Sequence, residues 1–354
     1  MKHLWVATCG VVLVMACDDP GTTDGVPQDA ADTTTSDADA TTADTSTPDT
    51  TDTSGDTVTP TGPLVDPQCL DGQYEEAIPT ELPSIDDLVS AYNEADYLAF
   101  TDAVLARRYP TGAWLVSEGV REGSARFGNC VTRFTSNRGQ AQSLLRQLST
   151  VVHECGHVLD LSLSGFSDTV LVIDDTLRFE CLRGDTTTRG GDTFARSLLN
   201  TDPYSALLPD DFYKDVYLDG DPDDQSFDSG DQGFNSVLEE AIQYVNSLAT
   251  DYHLRDRLGG FSITAKDGIL TFLWYIQRYL RMARLEYPAA YSRLTNDTCW
   301  REAILTTWGR AWLYLEAARD NRNLGIDADT IEDLVRDPAL LDEIARLRGA
   351  HGCP

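Results

Sequence analysis

The chain has 354 residues and a formal net charge of −31 at pH 7. A protein this acidic is excluded from the classes that bind nucleic acid or dock on anionic lipid through their own charge. The length allows one large domain or two small ones.

The N-terminus reads as an address. Met1-Lys2-His3 is a short basic region, and Leu4 to Met15 is an apolar run too short to span a bilayer. Val14-Met15-Ala16-Cys17 resembles a bacterial lipobox. The resemblance implies a signal peptide over 1–16, cleavage before Cys17 and acyl chains on that cysteine, a stable membrane anchor in the cell envelope, periplasmic or cell-surface. The other reading is an ordinary signal peptide cut nearby. Residues 18–67 hold twelve Asp and no Lys, Arg, His or aromatic residue. Such a stretch cannot bury enough apolar surface to offset chain entropy. Residues 17–67 are therefore expected to form a disordered tether, with one folded domain over 68–354.

Ser84 can cap a helix whose apolar positions run through Leu88, Tyr92, Leu98 and Leu105. Residues 111–135 mix Gly with Trp114, Leu115, Val116, Val131 and Phe134, which suggests short strands or loops. A long helix is expected over Gln140–Leu161, with Ala141, Leu144, Leu145, Leu148, Val152, Cys155 and Leu159 in one stripe. Val170 to Ile173 suggests a strand, and Arg183-Gly184-Asp185 a solvated turn. The acidic stretch Asp219 to Asp231 looks partly like a calcium loop. Asp224 stands where an EF-hand needs Gly, and no Glu closes it, so a solvated loop is the better reading. Helices follow after Gly233, around Ile269 to Leu280, around Trp300 to Leu315, and over Thr330–Arg336 and Ala339–Leu347. The expected class is mainly α with a small β-sheet, α+β.

The residues that carry chemistry are His153-Glu154-Cys155-Gly156-His157. On a helix the two histidines share a face, about 6 Å apart along the axis. Placed so, they can bind one Zn²⁺, and Glu154 beside them can serve as a base. This H-E-x-x-H segment resembles the zincin metallopeptidases. The resemblance implies a zincin-like fold with a small sheet before the motif helix, for which 111–135 is the candidate. It also implies that the motif helix packs against later helices, and that the substrate is a peptide or protein. Cys155 lies about 200° round the helix from His153, so it is expected in the core or in a disulfide rather than on the metal. Cys69, Cys130, Cys155, Cys181, Cys299 and Cys353 form an even set outside the signal and Cys17, consistent with disulfides in an exported protein. Cys181 is the expected partner of Cys155.

A catalytic zinc needs a third protein ligand. Leu163 stands where metzincins place their third His, and Asp160 where they place Gly, so that class is excluded. Asp160 shares the histidine face, as a carboxylate behind the ligands or as a surface charge. Glu239-Glu240-Ala241 resembles the later helix of gluzincins, although Gln243 and Tyr244 replace the Ser and Asp of the thermolysin-like pattern. Glu240 falls beside the apolar face of Val237, Ala241, Tyr244 and Leu248. Glu239 points toward Asn235, Gln243 and Asn246, and is expected in solvent. The alternative for this pair is two charges favourable to a helix N-terminus. Tyr244, one turn past Glu240, can reach the site as an oxyanion donor, whereas His253 reads as a surface or helix-end histidine. The resemblance thus implies Zn²⁺ on His153, His157 and Glu240, with Glu154 as general base of a membrane-anchored metallopeptidase. The alternative is an inactive zincin-like lipoprotein that binds a partner or glycan, or uses zinc structurally.

Overall fold

The computed structural model describes residues 64–353 apart from 187, 210–211 and 260–263. The signal peptide, Cys17 and the tether up to residue 63 lie outside the described residues. Among the described residues the structure is mainly helical with one two-stranded sheet. No helix among the described residues is long and apolar enough to cross a membrane.

The motif helix runs Leu148–Leu163 and buries the expected stripe. It is shorter than the continuous helix expected from Gln140, because Ala141–Leu145 forms a separate short helix. Gln147 explains the break. Its Oε1 accepts from the amides of Ser136 (2.8 Å) and Asn137 (3.2 Å), and its Nε2 donates to the Asn137 carbonyl (2.8 Å). A side chain that satisfies a neighbouring loop in this way competes with helix continuation.

Residues 111–135 are helical, contrary to the strands or loops expected there. A helix spans Pro110–Phe127, with Pro110 in its first turn, and a second spans Cys130–Arg133. Glycine lowers helix propensity, which is why the local signal read as loop. Packing overrides it. Gly119 and Gly123 lie where this helix meets the motif helix. A Cβ at Gly119 would collide with the Cys155 carbonyl, and one at Gly123 with Val158. The bare backbone lets the two helices come close and bury the motif helix from behind.

The small sheet follows the motif helix rather than preceding it. Strands Asp168–Val172 and Arg178–Leu182 pair antiparallel, with Thr169 opposite Cys181 and Leu171 opposite Phe179. The strand expected at Val170 is thus in place. Residues 183–232 form a largely irregular excursion between the sheet and the next long helix, holding short helices at Asp202–Leu207 and Phe212–Tyr217. Helix Phe234–His253 packs across the other side of the motif helix, and in turn against helices Ala265–Glu286 and Thr298–Ala317. Packing of the motif helix on later helices is therefore as expected.

The expected cap at Ser84 falls one residue early: the helix there spans Asp86–Ser90 with Ile85 at its N-cap position, and Ser84 Oγ, just outside it, accepts from the Asp86 amide (3.1 Å). A new start at Asn93 leads into helix Tyr97–Arg108. The folded part begins before residue 68. The Leu64 carbonyl accepts from Trp308 Nε1 (2.6 Å) and from Arg348 (2.7 Å), and Asp71 pairs with Arg348 at 2.6 Å. Helix Pro338–His351 is thereby tied to the start of the domain, and the Cys69–Cys353 disulfide locks that closure. A cross-link over so long a loop contributes about 2–5 kcal/mol. Cys155 is buried and in a disulfide, as expected, but its partner is Cys130; Cys181 pairs with Cys299. Cys130 sits on the short helix against the motif helix, and Cys181 on the strand against helix Thr298–Ala317.

Gly119→Val should destabilise the fold by about 1–3 kcal/mol, since it overpacks a helix contact made by backbone. Urea midpoints of the two proteins check this; an unchanged midpoint would mean that the helices are not in contact at Gly119.

Candidate metal centre

The packing of helix Phe234–His253 on the motif helix is antiparallel. His153 faces Ser247, Gly156 faces Gln243, and His157 faces Glu239 and Glu240. The two imidazoles are each 8% exposed and turn their Nε2 atoms toward each other, 2.9 Å apart. Glu240 Oε2 completes a triangle, 3.6 Å from His153 Nε2 and 3.4 Å from His157 Nε2. Bonds of about 2.0–2.1 Å to a tetrahedral zinc place ligand atoms about 3.3 Å apart. The triangle therefore has the size of one face of such a tetrahedron. These three residues are the one group of this kind among the described residues.

The outer nitrogens support the same reading. His157 Nδ1 lies 2.6 Å from Glu239 Oε1, and His153 Nδ1 lies 3.1 Å from Ser247 Oγ. A carboxylate only accepts, so Nδ1 of His157 carries the proton, and a neutral ring then presents a lone pair at Nε2. Glu240 Oε2 is buried with no hydrogen-bond donor, a costly state unless a cation sits beside it. The donor set and the orphaned oxygen fit a divalent metal ion.

Electrostatics without a metal point the same way. Burial opposes charge on His157, but Glu239 and Glu240 outweigh it and hold the imidazole well above its ordinary value. Burial likewise opposes charge on Glu240, and the two imidazoles overcome it and hold the carboxyl low. The pocket favours positive charge where the imidazoles meet. Glu154 differs, because burial raises its pKa, helped by Glu240 and Glu239, against the pull of the histidines. Its Oε2 is buried without a hydrogen-bond partner. A carboxyl left partly free beside the ligands has an oxygen available to take up a proton.

Glu239 departs from expectation. It does not face solvent; its side chain is 15% exposed and bonds His157. Helical phase placed its Cα correctly but not its carboxylate, which reaches round to the neighbouring helix. Asp160, left open between two roles, is a buried brace. It accepts from the Val172 amide (3.0 Å) and from Gln243 Nε2 (3.0 Å). Burial first, then Glu239, pushes its pKa well up. Gln243 reaches Asp160 because Gly156 has no side chain; a Cβ there would collide with the Gln243 amide. Asn246 donates to Gln243 Oε1 (2.8 Å) and accepts from Arg310 (2.7 Å). Arg310 also holds Glu76 (2.9 Å) and Tyr109 (2.8 Å).

The ring of Tyr244 stands edge-on to His153, centroids 4.9 Å apart, and against Phe272. It fits there because Gly268 leaves space on helix Ala265–Glu286. Its hydroxyl lies 2.8 Å from that of Tyr217. His253 is not at the surface. It is 3% exposed, stacks on Tyr109 and bonds the Ala249 carbonyl through Nδ1 (2.7 Å). Arg183-Gly184-Asp185, expected as a solvated turn, is irregular backbone following strand Arg178–Leu182, with Arg183 half-buried and bonding Thr169 Oγ1 (3.2 Å).

Two residues near the site had no sequence signal. Tyr217 shares a hydrogen bond with Tyr244, and Arg196 places its guanidinium over the Tyr217 ring, 5.4 Å from the centroid. Arg196 is buried and donates to Ser236 Oγ (3.2 Å), one turn before Glu240. Both come from the irregular excursion, where no periodicity marks a face.

Glu240→Ala should lower zinc affinity by several orders of magnitude, as the loss of a direct ligand. Glu239→Ala should lower it about 10–100-fold, the range for a partner behind a ligating histidine. Competition titration against a chromogenic chelator measures both; equal affinity in wild type and Glu240→Ala would remove Glu240 from the ligand set.

Comparison of the chain with protein-family models, curated proteins and solved structures returned no match, so its functional reading rests on its own residues and their geometry.

Proposed function

We propose that this protein is a zinc-dependent metallopeptidase of the gluzincin type, held at the cell envelope through a lipidated Cys17. The observation that carries the reading is the convergence of His153, His157 and Glu240, all three ligand atoms within 4.8 Å of one another, with Glu154 adjoining them in the motif. Bound there, zinc would supply Lewis acidity toward a peptide carbonyl and a lowered pKa for water.

The chain's own residues supply the rest. Glu154 accepts the proton of the attacking water and passes it to the leaving amine. Glu239 fixes the tautomer and ring orientation of His157, and Ser247 does the same for His153. A hydroxyl of the Tyr244–Tyr217 pair donates to the oxyanion that develops on the substrate carbonyl. Burial raises the pKa of both phenols, so they stay protonated as donors at neutral pH.

A second reading, zinc in a structural or partner-binding role, has one observation in its favour. The imidazoles are nearly enclosed, each 8% exposed. Closed zinc sites are commonly structural.

Glu154→Gln separates the two. It should keep one zinc per chain and the wild-type circular dichroism while losing about 10²–10⁴-fold in turnover of a mixed peptide library. A zinc-loaded wild type with no turnover on such a library would favour the structural role. Cys17→Ser should shift the protein from the membrane fraction to the soluble envelope fraction; retention on membranes would remove the anchor.

A further inference from the structure

We propose that Arg196 sets the specificity of the metal centre: its guanidinium receives the C-terminal carboxylate of a peptide, which makes the protein a carboxypeptidase. The inference rests on the peptidase reading above and names its substrate class. Arg196 lies in the single turn Arg196–Leu198, and its amide donates to the Gln232 carbonyl (2.8 Å), just ahead of helix Phe234–His253. The residue is 2% exposed.

A guanidinium carries five N–H donors in a fixed plane. Here Nη1 donates to Ser236 Oγ (3.2 Å), and the central carbon lies over the Tyr217 ring, 5.4 Å from its centroid. Nε is buried with no hydrogen-bond partner. Ser197 Oγ and Asn235 Oδ1, on the residues next to Arg196 and Ser236, are buried without partners as well. Burial pulls the Arg196 pKa down, and Glu240 acts against it through space, yet no carboxylate among the described residues pairs with the guanidinium. A buried cation is costly without an anion beside it. With Nη1 turned to Ser236, the edge formed by Nε and Nη2 is left for a ligand. Two parallel N–H groups match the two oxygens of one carboxylate, a fit that arginine offers and lysine does not.

The place of Arg196 selects the substrate. The Tyr217 ring beneath it carries the hydroxyl that bonds Tyr244, and this pair is the oxyanion donor of the proposed reaction. A carboxylate held on Arg196 therefore lies close to the carbonyl under attack. Successive Cα atoms are about 3.8 Å apart, so the scissile bond falls within a residue or two of that carboxylate. An Asp or Glu side chain offers the same chemistry. Enclosure favours the chain end, because a terminus stops at a buried arginine whereas an internal residue must let the chain run on past it. Cleavage consumes one water, whose oxygen stays on the new carboxylate while a proton passes to the released amine.

Zinc-loaded protein assayed on N-acetylated peptides tests this. Three sets are compared: free acids lacking Asp and Glu, the same peptides as C-terminal amides, and amides carrying one Glu. Free acids should exceed both amide sets about 10²-fold in kcat/KM, the size of a lost charge-assisted pair. Arg196→Met should remove that preference, and Arg196→Lys, which restores charge without the fork, should recover about a tenth of it or less. Calorimetry of the Glu154→Gln protein with the same peptides reads binding without turnover and should rank them alike. Equal rates on acids and amides, faster cleavage of the Glu-containing amides, or a preference retained in folded Arg196→Met would overturn the proposal. If Arg196→Met does not fold, Arg196→Lys takes its place, and the comparison of acid with amide in the wild type needs no variant. Preferential binding of acids without turnover would remove the peptidase and keep the Arg196 site. Turnover without acid preference would do the reverse, and neither binding nor turnover would remove both.

Discussion

The close antiparallel contact between the motif helix and helix Phe234–His253 is the constraint on which the site depends. It brings Nε2 of two histidines and a carboxylate oxygen within tetrahedral reach. The contact needs Gly156, because the Gln243 amide occupies the space a side chain would fill. Behind the motif helix, Gly119 and Gly123 give the same closeness to helix Pro110–Phe127. The motif helix is thus held on two sides through bare backbone, with the Cys130–Cys155 disulfide fixing its middle. Close-packed backbone leaves little room for a helix to slide or rotate. Ligand positions set on it are correspondingly well defined.

That contact also buries charge, and the charges do not balance without a cation. Glu154, Glu239, Glu240 and Asp160 interact through space within this region. Arg196 is the nearby guanidinium, and it meets a serine and a tyrosine ring rather than a carboxylate oxygen among the described contacts. Buried carboxylates without partners are strongly destabilising. Asp160 escapes through two amide donors and an elevated pKa. Glu239 escapes through His157. Glu240 Oε2 alone among the ligand atoms lacks a donor, which is the position a divalent ion would satisfy.

A second buried network continues away from the site. Asp160, Gln243, Asn246, Arg310 and Glu76 form an unbroken hydrogen-bonded chain across the core. The chain runs from the motif helix through helix Phe234–His253, which carries both Gln243 and Asn246, to helix Thr298–Ala317 and the N-terminal stretch. Tyr109 and Tyr314 saturate its far end. Networks of this kind stabilise only when complete, because each missing partner strands a buried polar group. Gln243, which departs from the thermolysin-like pattern, is the member that connects the network to the motif helix.

The sequence by itself determined the parts of this protein that depend on one helix at a time. His153 and His157 share a face because their spacing matches the helical repeat, and Cys155 is buried because the same repeat turns it to the core. The same phase argument placed Glu240 beside the inner face of its helix, where it meets both imidazoles. Tertiary structure alone decided what depends on two segments meeting. Glu239 sits one residue from Glu240 and looked solvent-facing, yet a long side chain crosses to His157 once the second helix lies alongside. Cys155 pairs with Cys130 rather than Cys181, and His253 is buried against Tyr109, because contacts between distant segments carry no signature in spacing. The glycine-rich stretch after Pro110 is a helix for the same reason: local propensity argued for loop, and the packing of backbone on backbone outweighed it.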